Sequence, residues 1–215
     1  MSLIKKIKKI PYLVKEDGFI STIKIIIKNL FRYKKVGWYE KNLLELSSQF
    51  KPKIEVKIDF ASTNEVIDWI KEKRVPGSDN SFEIEYGVLN KHYFPVAKYN
   101  NKIIGFEKIG FKKIFILDFE GFIYLPDKTA MIYDTFILPE YRNLGVASFL
   151  TRESTIYLRN KGFEKIYCHI LPTNESSIRS FLKVGFKKAR NIYFLKICGM
   201  KFIIPIITEI INRRK

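Results

Sequence analysis

Residues 137–147 read Ile-Leu-Pro-Glu-Tyr-Arg-Asn-Leu-Gly-Val-Ala, and this stretch decides the fold. An apolar run over residues 130–138 predicts a strand that ends before Pro139, and a helical apolar period begins at Leu144. A strand end followed by a helix start leaves backbone N–H groups unpaired at the positive end of the helix dipole. Such a junction can bind phosphate, and Gly145 would let an anion approach the backbone closely.

The flanking sequence predicts strands and helices in an order typical of a mixed sheet. Upstream we predict a strand at 54–58, a helix from a capping box at 62–65 through Arg74, a hairpin with its turn at Asn100-Asn101, and a strand at 114–124. Downstream we predict a helix to about Lys161, a strand at 165–171, a helix at 175–183 and a strand near 192–197. Strand, helix and strand between 130 and 171 indicate two parallel neighbours joined by a right-handed crossover.

The positive charge of the chain lies at its two ends. The 215 residues carry a net charge of +17. Residues 1–53 hold 13 Lys and Arg against 4 Asp and Glu, residues 183–215 hold 9 against 1, and the middle is neutral. This asymmetry favours an anionic partner such as lipid headgroups, nucleic acid or an acidic protein. The alternative is that the excess of Lys at the ends reflects only the general composition of the chain, which is rich in Lys, Ile and Asn, and has no binding role.

Apolar residues within Phe19–Phe31 recur at helical spacing between lysines, which predicts a basic amphipathic helix. Such a helix can lie on a membrane surface or cover the core of its own domain. The tail from Met200 to Ile211 is apolar and predicts either a last strand and helix or a second surface anchor. We therefore expect a basic helical extension over 1–52, a domain over 53–198 and a basic apolar tail over 199–215.

Cysteine and histidine are scarce, which excludes several classes of protein. Cys168 and Cys198 are too few for a disulfide framework, and with only His92 and His169 beside them no metal site is expected. No segment reaches the length needed to span a bilayer, and charged residues interrupt any signal peptide. We expect a cytoplasmic protein, with contact to the inner membrane surface through its ends as an added hypothesis.

A second segment, Pro172–Phe186, follows the next predicted strand and contains Asn174 and a closing Gly185-Phe186. In this order and spacing, the two segments resemble the GNAT superfamily of N-acetyltransferases over about residues 54–198. The first resembles its pyrophosphate-binding motif, Arg/Gln-x-x-Gly-x-Gly/Ala, and the second its Asn-containing strand–helix motif. The resemblance implies an α/β (α+β) fold with a mixed, mostly antiparallel central sheet and helices on both faces.

The resemblance also implies an acyl-CoA-dependent N-acyltransferase, most simply one that moves acetyl from acetyl-CoA to a primary amine by direct attack in a ternary complex. In the family, coenzyme A inserts between two splayed strands like a missing strand. The corresponding residues here are Phe136, Ile137, Leu138, Arg142, Asn143, Leu144, Gly145, Val146, Ala147, Ser148, Asn174, Ser177 and Phe181. From the residues alone, Asn174 could simply cap its helix, and Arg142 could pair with Glu140 or Glu153.

The resemblance leaves the acceptor open among an amino sugar, a small amine and a peptide. Other readings are a longer acyl-CoA or an aminoacyl-tRNA as donor, and an inactive coenzyme A-binding module. A nucleic-acid-binding protein is disfavoured because no reading motif is present, so no specific nucleic acid is expected as partner. Homodimers are common in the family, and a homodimer is one expectation here.

The catalytic residues are less well defined by the sequence. In the family the acid that protonates the departing thiolate is often a Tyr seven residues after the motif Asn, and Phe181 stands there in this chain. Water or one of Tyr157, Tyr167 and Tyr193 could replace it.

Candidates for the base come from the two motif strands. They are His169, Tyr133, Thr135 and Asp134, with the nearby pair Asp118 and Glu120 as carboxylates that could bind the acceptor. Strand alternation places Asp134 on the face opposite Tyr133 and Thr135, unless a bulge changes the parity.

Overall fold

The computed structural model describes residues 31–206 except 46–48, 61–62, 74, 76 and 198–199. The chain divides into two compact units, one of residues 36–190 and one made of the two chain ends, up to Lys35 and from Asn191. Within the described residues, no helix combines the length and the apolar character needed to cross a membrane.

The larger unit contains most of the regular structure. Its strands are β1 (Phe31–Asn42, which begins in the smaller unit), β2 (Lys57–Asp59), β3 (Val96–Tyr99), β4 (Lys102–Phe111), β5 (Lys113–Ile116), β6 (Gly121–Tyr124), β7 (Thr129–Ile137) and β8 (Lys165–Ile170). Its helices are α1 (Thr63–Lys73), α2 (Ser81–Leu89), α3 (Val146–Asn160) and α4 (Glu175–Val184), with short 3-10 turns at Leu117–Phe119 and Pro139–Tyr141.

The main sheet of this unit has the strand order β1-β8-β7-β4-β3-β2, and β5 and β6 form a separate hairpin. Strands β7 and β8 are parallel, and every other neighbouring pair in this order is antiparallel. Helix α3 connects the parallel pair, as the strand–helix–strand pattern predicts. The predicted mixed, mostly antiparallel sheet is confirmed.

Helices cover both faces of the sheet. Val96 packs in a core cluster with side chains of α1 and α2, whereas its neighbour Ala97 packs in a cluster with Val146 and Leu150 of α3. Successive residues of a strand point to opposite faces, so these two clusters mark the two sides of the sheet. One face of the sheet is thus the side of α1 and α2, and the other is the side of α3 and α4.

The predicted hairpin turn is confirmed, and it explains the pairing of β3 with β4. Asn100 and Asn101 have φ angles of 47° and 61°. Two successive positive φ angles are typical of the two-residue turn that matches strand twist, and Asn tolerates them well. Gly105, further along β4, allows a close approach to β7, because a Cβ there would lie 2.6 Å from the Phe136 carbonyl oxygen and 2.3 Å from Ile137 Cδ1.

The parallel pair β7 and β8 separates before either strand ends. Their last paired residues are Ile132 and Cys168, although β7 continues to Ile137 and β8 to Ile170. On its other edge, β7 remains paired with β4 as far as Ile137. The edge of β7 that faces β8 is therefore open over its last residues, and a gap crosses the sheet at this point.

The described part of the smaller unit consists of strands, including the start of β1. Strands β9 (Lys187–Ile197, which begins in the larger unit) and β10 (Met200–Ile206) are antiparallel, with Met200 opposite Ile197. Within this unit the rings of Tyr33 and Tyr193 lie 5.8 Å apart. The strand alternative for the start of the tail is thus confirmed, and residues 207–215 lie outside the described residues.

Several expectations from the sequence are corrected. The helical extension predicted over 1–52 is wrong for residues 31–42, which form β1, because aromatic and β-branched side chains suit a strand that pairs with β8. The predicted helix Phe19–Phe31 lies outside the described residues except for Phe31, which begins β1. Of the strand predicted at 54–58, only Lys57 and Ile58 are paired, in a strand that extends to Asp59.

Two further differences concern the middle of the chain. Helix α2 was not predicted, because its apolar and acidic residues alternate like those of a strand, while the Asn80 side chain caps it by accepting from the Glu83 N–H at 2.9 Å. The single strand predicted at 114–124 is a hairpin, since the chain reverses at Glu120 with a φ of 47°.

Leu150 of α3 is fully buried, so we expect Leu150→Ala to lower the free energy of unfolding by about 2–5 kcal/mol, measured by denaturant titration. Leu89→Ala removes the same atoms from a side chain that is 81% exposed and should change stability by less than about 0.5 kcal/mol. Equal losses for the two variants would contradict the assignment of the core.

Candidate functional site

The junction between β7 and α3 has the backbone geometry of an anion-binding site. Asn143 and Gly145 have φ angles of 61° and 83°, and α3 begins at Val146 with Gly145 as its N-cap. The first bond of the helix runs from the Phe149 N–H to the Gly145 carbonyl at 3.0 Å. The N–H groups of the first residues of α3, which precede Phe149, therefore have no partner in the helical hydrogen-bond ladder and can bind an anion.

The segment before β2 closes one side of this junction. The Lys53 N–H donates to the Leu144 carbonyl at 2.8 Å, and a Cβ at Gly145 would lie 3.4 Å from Pro52 Cα. A side chain at Gly145 would thus be strained by its φ and would also press on Pro52. The same contact brings Lys51 and Lys53 to the cleft, which nothing in the sequence pattern indicated.

A cleft of about 650 Å³ opens over the junction. It is lined by five cationic side chains, and none of the described residues that line it is Asp or Glu. The cations are Lys51, Lys53, Arg142, Arg179 and Lys183. Among them, Arg179 pairs with Glu175 at 3.1 Å, and Lys183 lies over the Phe50 ring at 4.5 Å. The cleft is strongly electropositive and suits a ligand with several negative charges.

Nearly all residues predicted to bind the cofactor line this cleft. The exception is Leu138, whose side chain packs against the apolar cluster of α3 and whose N–H donates to the Ile104 carbonyl at 2.9 Å. Arg142 lines the cleft, but its Nε donates to the Ile137 carbonyl at 3.0 Å rather than to a carboxylate. Asn174 caps α4, since its Oδ1 accepts from the Ser177 N–H at 3.1 Å.

A second cavity, of about 160 Å³, lies at the gap between β7 and β8. It shares four lining residues with the cleft, namely Thr135, Asn174, Ser177 and Phe181. Its other polar lining residues include Asp118, Asp134 and His169. The cleft and the cavity therefore meet where the two strands separate.

A β-bulge at Tyr133 decides which side chains of β7 face which side. Lys108 is opposite Asp134 and Ile109 is opposite Ile132, so Tyr133 is the extra residue. Tyr133 contacts His92, and Asp134 contacts Lys108. Both side chains therefore lie on the side of α1 and α2. The simple alternation that separates Tyr133 from Asp134 is wrong, and the bulge alternative is correct.

Asp134 belongs to a buried charge cluster beside the cavity. The fully buried Lys108 Nζ lies 3.2 Å from Asp134 Oδ2, 2.9 Å from Glu83 Oε1 and 2.8 Å from the Ser78 carbonyl. Burial raises the pKa of Glu83, while the charge of Lys108 opposes that rise. One lysine thus faces two carboxylates at the cavity wall.

Tyr133 borders the cavity, but its hydroxyl group is engaged elsewhere. It lies 3.1 Å from Nδ1 of the buried His92. Burial lowers the pKa of His92 to about 4, so the neutral imidazole can accept a hydrogen bond from the Tyr133 hydroxyl. Burial also raises the pKa of Tyr133 well above its ordinary value. Tyr133 is therefore neither a base nor an accessible acid at neutral pH.

His169, one of the predicted bases, has an acidic partner. It lies on β8 with its side chain 6% exposed, and its Nε2 is 3.2 Å from Asp118 Oδ2. The Asp118 carboxylate favours the tautomer in which Nε2 carries the hydrogen. Within the described residues, His169 Nδ1 is buried without a hydrogen-bond partner, so its lone pair can accept a proton.

Thr135 faces a buried carboxylate on the side of α3 and α4. It stands directly opposite Glu107 of β4, which is fully buried. Glu107 accepts hydrogen bonds from the hydroxyl groups of Thr151, on Oε1, and of Ser154, on Oε2 at 2.8 Å. Burial raises the pKa of Glu107 to about 7, against the lowering effect of these hydroxyls and of the Thr135 hydroxyl.

Sequence reasoning missed Glu83, Glu107 and Lys108 as well as Lys51 and Lys53. A signal existed for two of them, because Glu107-Lys108 is a charged pair within the otherwise apolar strand β4. Of the proposed replacements for the missing acid, Tyr157 stacks on Phe60 with ring centroids 4.1 Å apart, and it is not among the described residues lining the cavity.

The chain belongs to the GNAT acetyltransferase family, since the profile of the Acetyltransferase (GNAT) family matches residues 63–186. The match contains both motifs and most of the cleft and cavity. No curated protein sequence matches the chain significantly.

Solved structures with a similar fold include other proteins of this kind. A putative GNAT acetyltransferase from Novosphingobium aromaticivorans is 16% identical over 75% of this chain and 63% of its own, with a TM-score of 0.50. A GNAT acetyltransferase from Colwellia psychrerythraea is 13% identical over 77% and 55%, with a TM-score of 0.53. A glucosamine N-acetyltransferase region in a fungal multi-domain β-N-acetylglucosaminidase is 15% identical over 86% and 23%, with a TM-score of 0.54. These similarities concern the fold.

The cationic cleft predicts salt-dependent binding of anions. We expect the double variant Lys51→Gln/Lys53→Gln to bind coenzyme A about tenfold more weakly at low salt, measured by calorimetry. The difference should shrink when salt is raised to about 500 mM, because exposed charges are then screened. Lys71→Gln/Lys73→Gln removes the same charge from α1, outside the cleft, and should leave binding unchanged. An equal loss in both double variants would argue for a general charge effect instead.

Proposed function

We propose that the protein is an N-acetyltransferase that transfers an acetyl group from acetyl-CoA to a primary amine. The observation that carries the proposal is the meeting of an electropositive cleft and an acidic cavity at the gap between β7 and β8. A polyanionic donor and a cationic acceptor can enter from the two sides and bring their reacting ends together there.

The cleft fits the donor in three respects. Its cations and the N–H groups at the start of α3 suit the phosphates of coenzyme A. The open edge of β7 offers backbone groups to the amides of a pantetheine arm, as a neighbouring strand would. The bound donor supplies an activated thioester carbonyl, and the chain holds that carbonyl at the gap.

The cavity fits the acceptor. Asp118 and Asp134 give it a negative potential that attracts an ammonium group. Its volume of about 160 Å³ is about a quarter of that of the cleft, which is about 650 Å³. That space accommodates an acetyl group and the end of an amine more readily than a long acyl chain, which supports acetyl-CoA over a longer donor.

The residues of the cavity can prepare the amine for attack. An amine that arrives as an ammonium ion must lose a proton before its nitrogen can act as nucleophile. His169 Nδ1 accepts that proton, while Asp118 holds the ring and stabilises the charge it gains. Asp134 keeps the amine oriented by its charge.

A second candidate function is that of a coenzyme A-binding module without catalysis. It is favoured by Phe181, which borders both the cleft and the cavity where a proton donor would be useful. An assay for free thiol with acetyl-CoA and a panel of amino sugars, small amines and peptides separates the two functions. Amine-dependent thiol release with formation of an amide supports the transferase. Binding without release supports the module.

The behaviour of the chain ends and the assembly state are separate proposals. The basic ends would hold the protein at an anionic membrane surface, and a vesicle co-sedimentation assay with phosphatidylserine at physiological salt tests this. Residues 1–30 and 207–215, which carry much of this charge, lie outside the described residues. A homodimer, as one expects from the family, is tested by light scattering.

For the proposed base we expect His169→Gln to lower kcat by about 10²–10⁴-fold with little change in the KM for acetyl-CoA. Asp118→Asn should lower kcat less, by about tenfold, because the imidazole remains. Below pH 7, the residual activity of His169→Gln should rise with pH, since more of the amine is then neutral without help.

Steady-state kinetics over a range of pH provides the measurement, and Asp127→Asn, an exposed carboxylate in the β6–β7 loop, provides the control. If His169→Gln kept the wild-type kcat and pH profile, deprotonation would have to occur elsewhere.

A further inference from the structure

The buried carboxylate of Glu107 lies next to the proposed transfer site, and the roles proposed for His169, Asp118 and Asp134 do not involve it. Within the described residues it forms no ion pair, and the groups that face it are the hydroxyls of Thr151 and Ser154 from α3, the Thr135 hydroxyl from β7 and the Cys168 thiol from β8. A carboxylate surrounded only by neutral groups is costly to keep charged, so near neutral pH it readily holds a proton.

Thr135 stands between this carboxyl group and the cavities. It is directly opposite Glu107 in the β4–β7 pair, where facing side chains lie within roughly 5 Å at Cβ. It also lines both the cleft and the second cavity. Its Oγ1 is buried beside Glu107, whose pKa it helps to lower, but no hydrogen bond of full geometry fixes it within the described residues, so its hydroxyl can turn to a group that enters the gap.

Phe181 leaves the transfer site without the tyrosine that often serves as the acid in the family. Its ring is buried and borders the same junction of cleft and cavity, but a phenyl ring has no proton to give. Cleavage of a thioester by an amine produces a thiolate, which leaves more easily when it is protonated. The Thr135 hydroxyl, on the side of α3 and α4, is placed to provide this proton.

We propose that Thr135 delivers a proton to the departing sulfur and takes its replacement from Glu107. The inference rests on the proposed acyl transfer. The new C–N bond forms with the amine electron pair, and the C–S bond breaks with its electron pair going to sulfur. Thr135 gives its hydroxyl proton to that sulfur, and the Glu107 carboxylic acid gives its proton to the Thr135 oxygen.

The proton balance closes with the base on the other side. His169 passes the first ammonium proton to water before the attack and then gains the second proton, which the nitrogen loses as the amide forms, and Glu107 ends the step as a carboxylate. The Thr151 and Ser154 hydroxyls already donate to that carboxylate and stabilise it. Exchange with water after the products leave returns one proton to Glu107 and removes one from His169. Acid and base thus act from opposite faces of the sheet.

The test is a set of variants built around Phe181. Glu107→Gln and Thr135→Val should each lower kcat by about 10²-fold while coenzyme A binding, measured by calorimetry, stays within about twofold. The fall of kcat above pH 7, where Glu107 loses its proton, should disappear in Glu107→Gln. Phe181→Tyr places a phenol at the same junction, and adding it to either variant should restore most of the lost kcat. Glu85→Gln, an exposed carboxylate of α2, is the matched control.

A purely structural role for Glu107 gives different results. In that case Phe181→Tyr would not rescue kcat, the pH profile of Glu107→Gln would match that of the wild type, and the inference would be overturned. A double variant Glu107→Gln/Thr135→Val with twice the logarithmic loss of either single variant would also overturn it, because two members of one relay are not additive.

A measurement on the free protein separates this inference from the proposed function. Infrared spectra of the wild type, with Glu107→Gln as reference, should show a protonated carboxyl band that disappears near pH 7. Its disappearance below about pH 5, the ordinary range for Glu, would overturn the inference even in an active transferase. If the titration occurs near pH 7 but no amine releases thiol, the proposed function fails, and with it the relay.

The same titration has a consequence for stability. The folded state holds the Glu107 proton at a pH where the unfolded state has lost it, so wild-type stability declines as pH rises from about 4.5 to about 7. Glu107→Gln lacks this decline. Its Tm relative to wild type should rise by about 5 °C or more over that range, and a constant difference would contradict a proton held by Glu107.

Discussion

The function of this protein depends on a place where two parallel strands stop pairing. Beyond Ile132 and Cys168, the backbone of β7 keeps its hydrogen bonds to β4 but has none from β8. Backbone polar groups in the middle of a sheet are normally paired, so this open edge invites a ligand that can replace a strand. The cleft over the start of α3 and the cavity beside His169 meet at this one interruption.

The sheet also separates two sets of buried ionisable side chains, one on each face. Neighbouring residues of β4, Glu107 and Lys108, point to opposite faces, so each face receives one buried ionisable group. On one face a lysine lies between two carboxylates, and on the other burial raises the pKa of a carboxyl group that accepts hydrogen bonds from hydroxyls. The bulge at Tyr133 is what places Asp134 beside Lys108 while Thr135 still faces Glu107. One extra residue in β7 thus sets the charge pattern of the site.

The sequence predicted those parts of the fold and site that depend on local chemistry. The turn at Asn100-Asn101, the start of α3 after Gly145 and the capped α4 are each encoded within a few residues. Strand β1 was not predictable in this way, because its partner β8 lies more than a hundred residues later in the chain. The bulge at Tyr133 and the approach of Lys51 and Lys53 to the cleft likewise result from tertiary packing, and no short sequence motif predicts them.

Gly105 has a consequence for which donors the protein can use. It faces the end of β7 so closely that a methyl group in its place would overlap the Phe136 carbonyl oxygen and the Ile137 side chain. Any larger residue would force the end of β7 toward β8 and narrow the opening from the β4 side. The width of that opening thus depends on the absence of a side chain at Gly105, which does not itself line the cleft. Bulk added at this hidden position would act as a size filter by displacing Phe136 and Ile137 from behind.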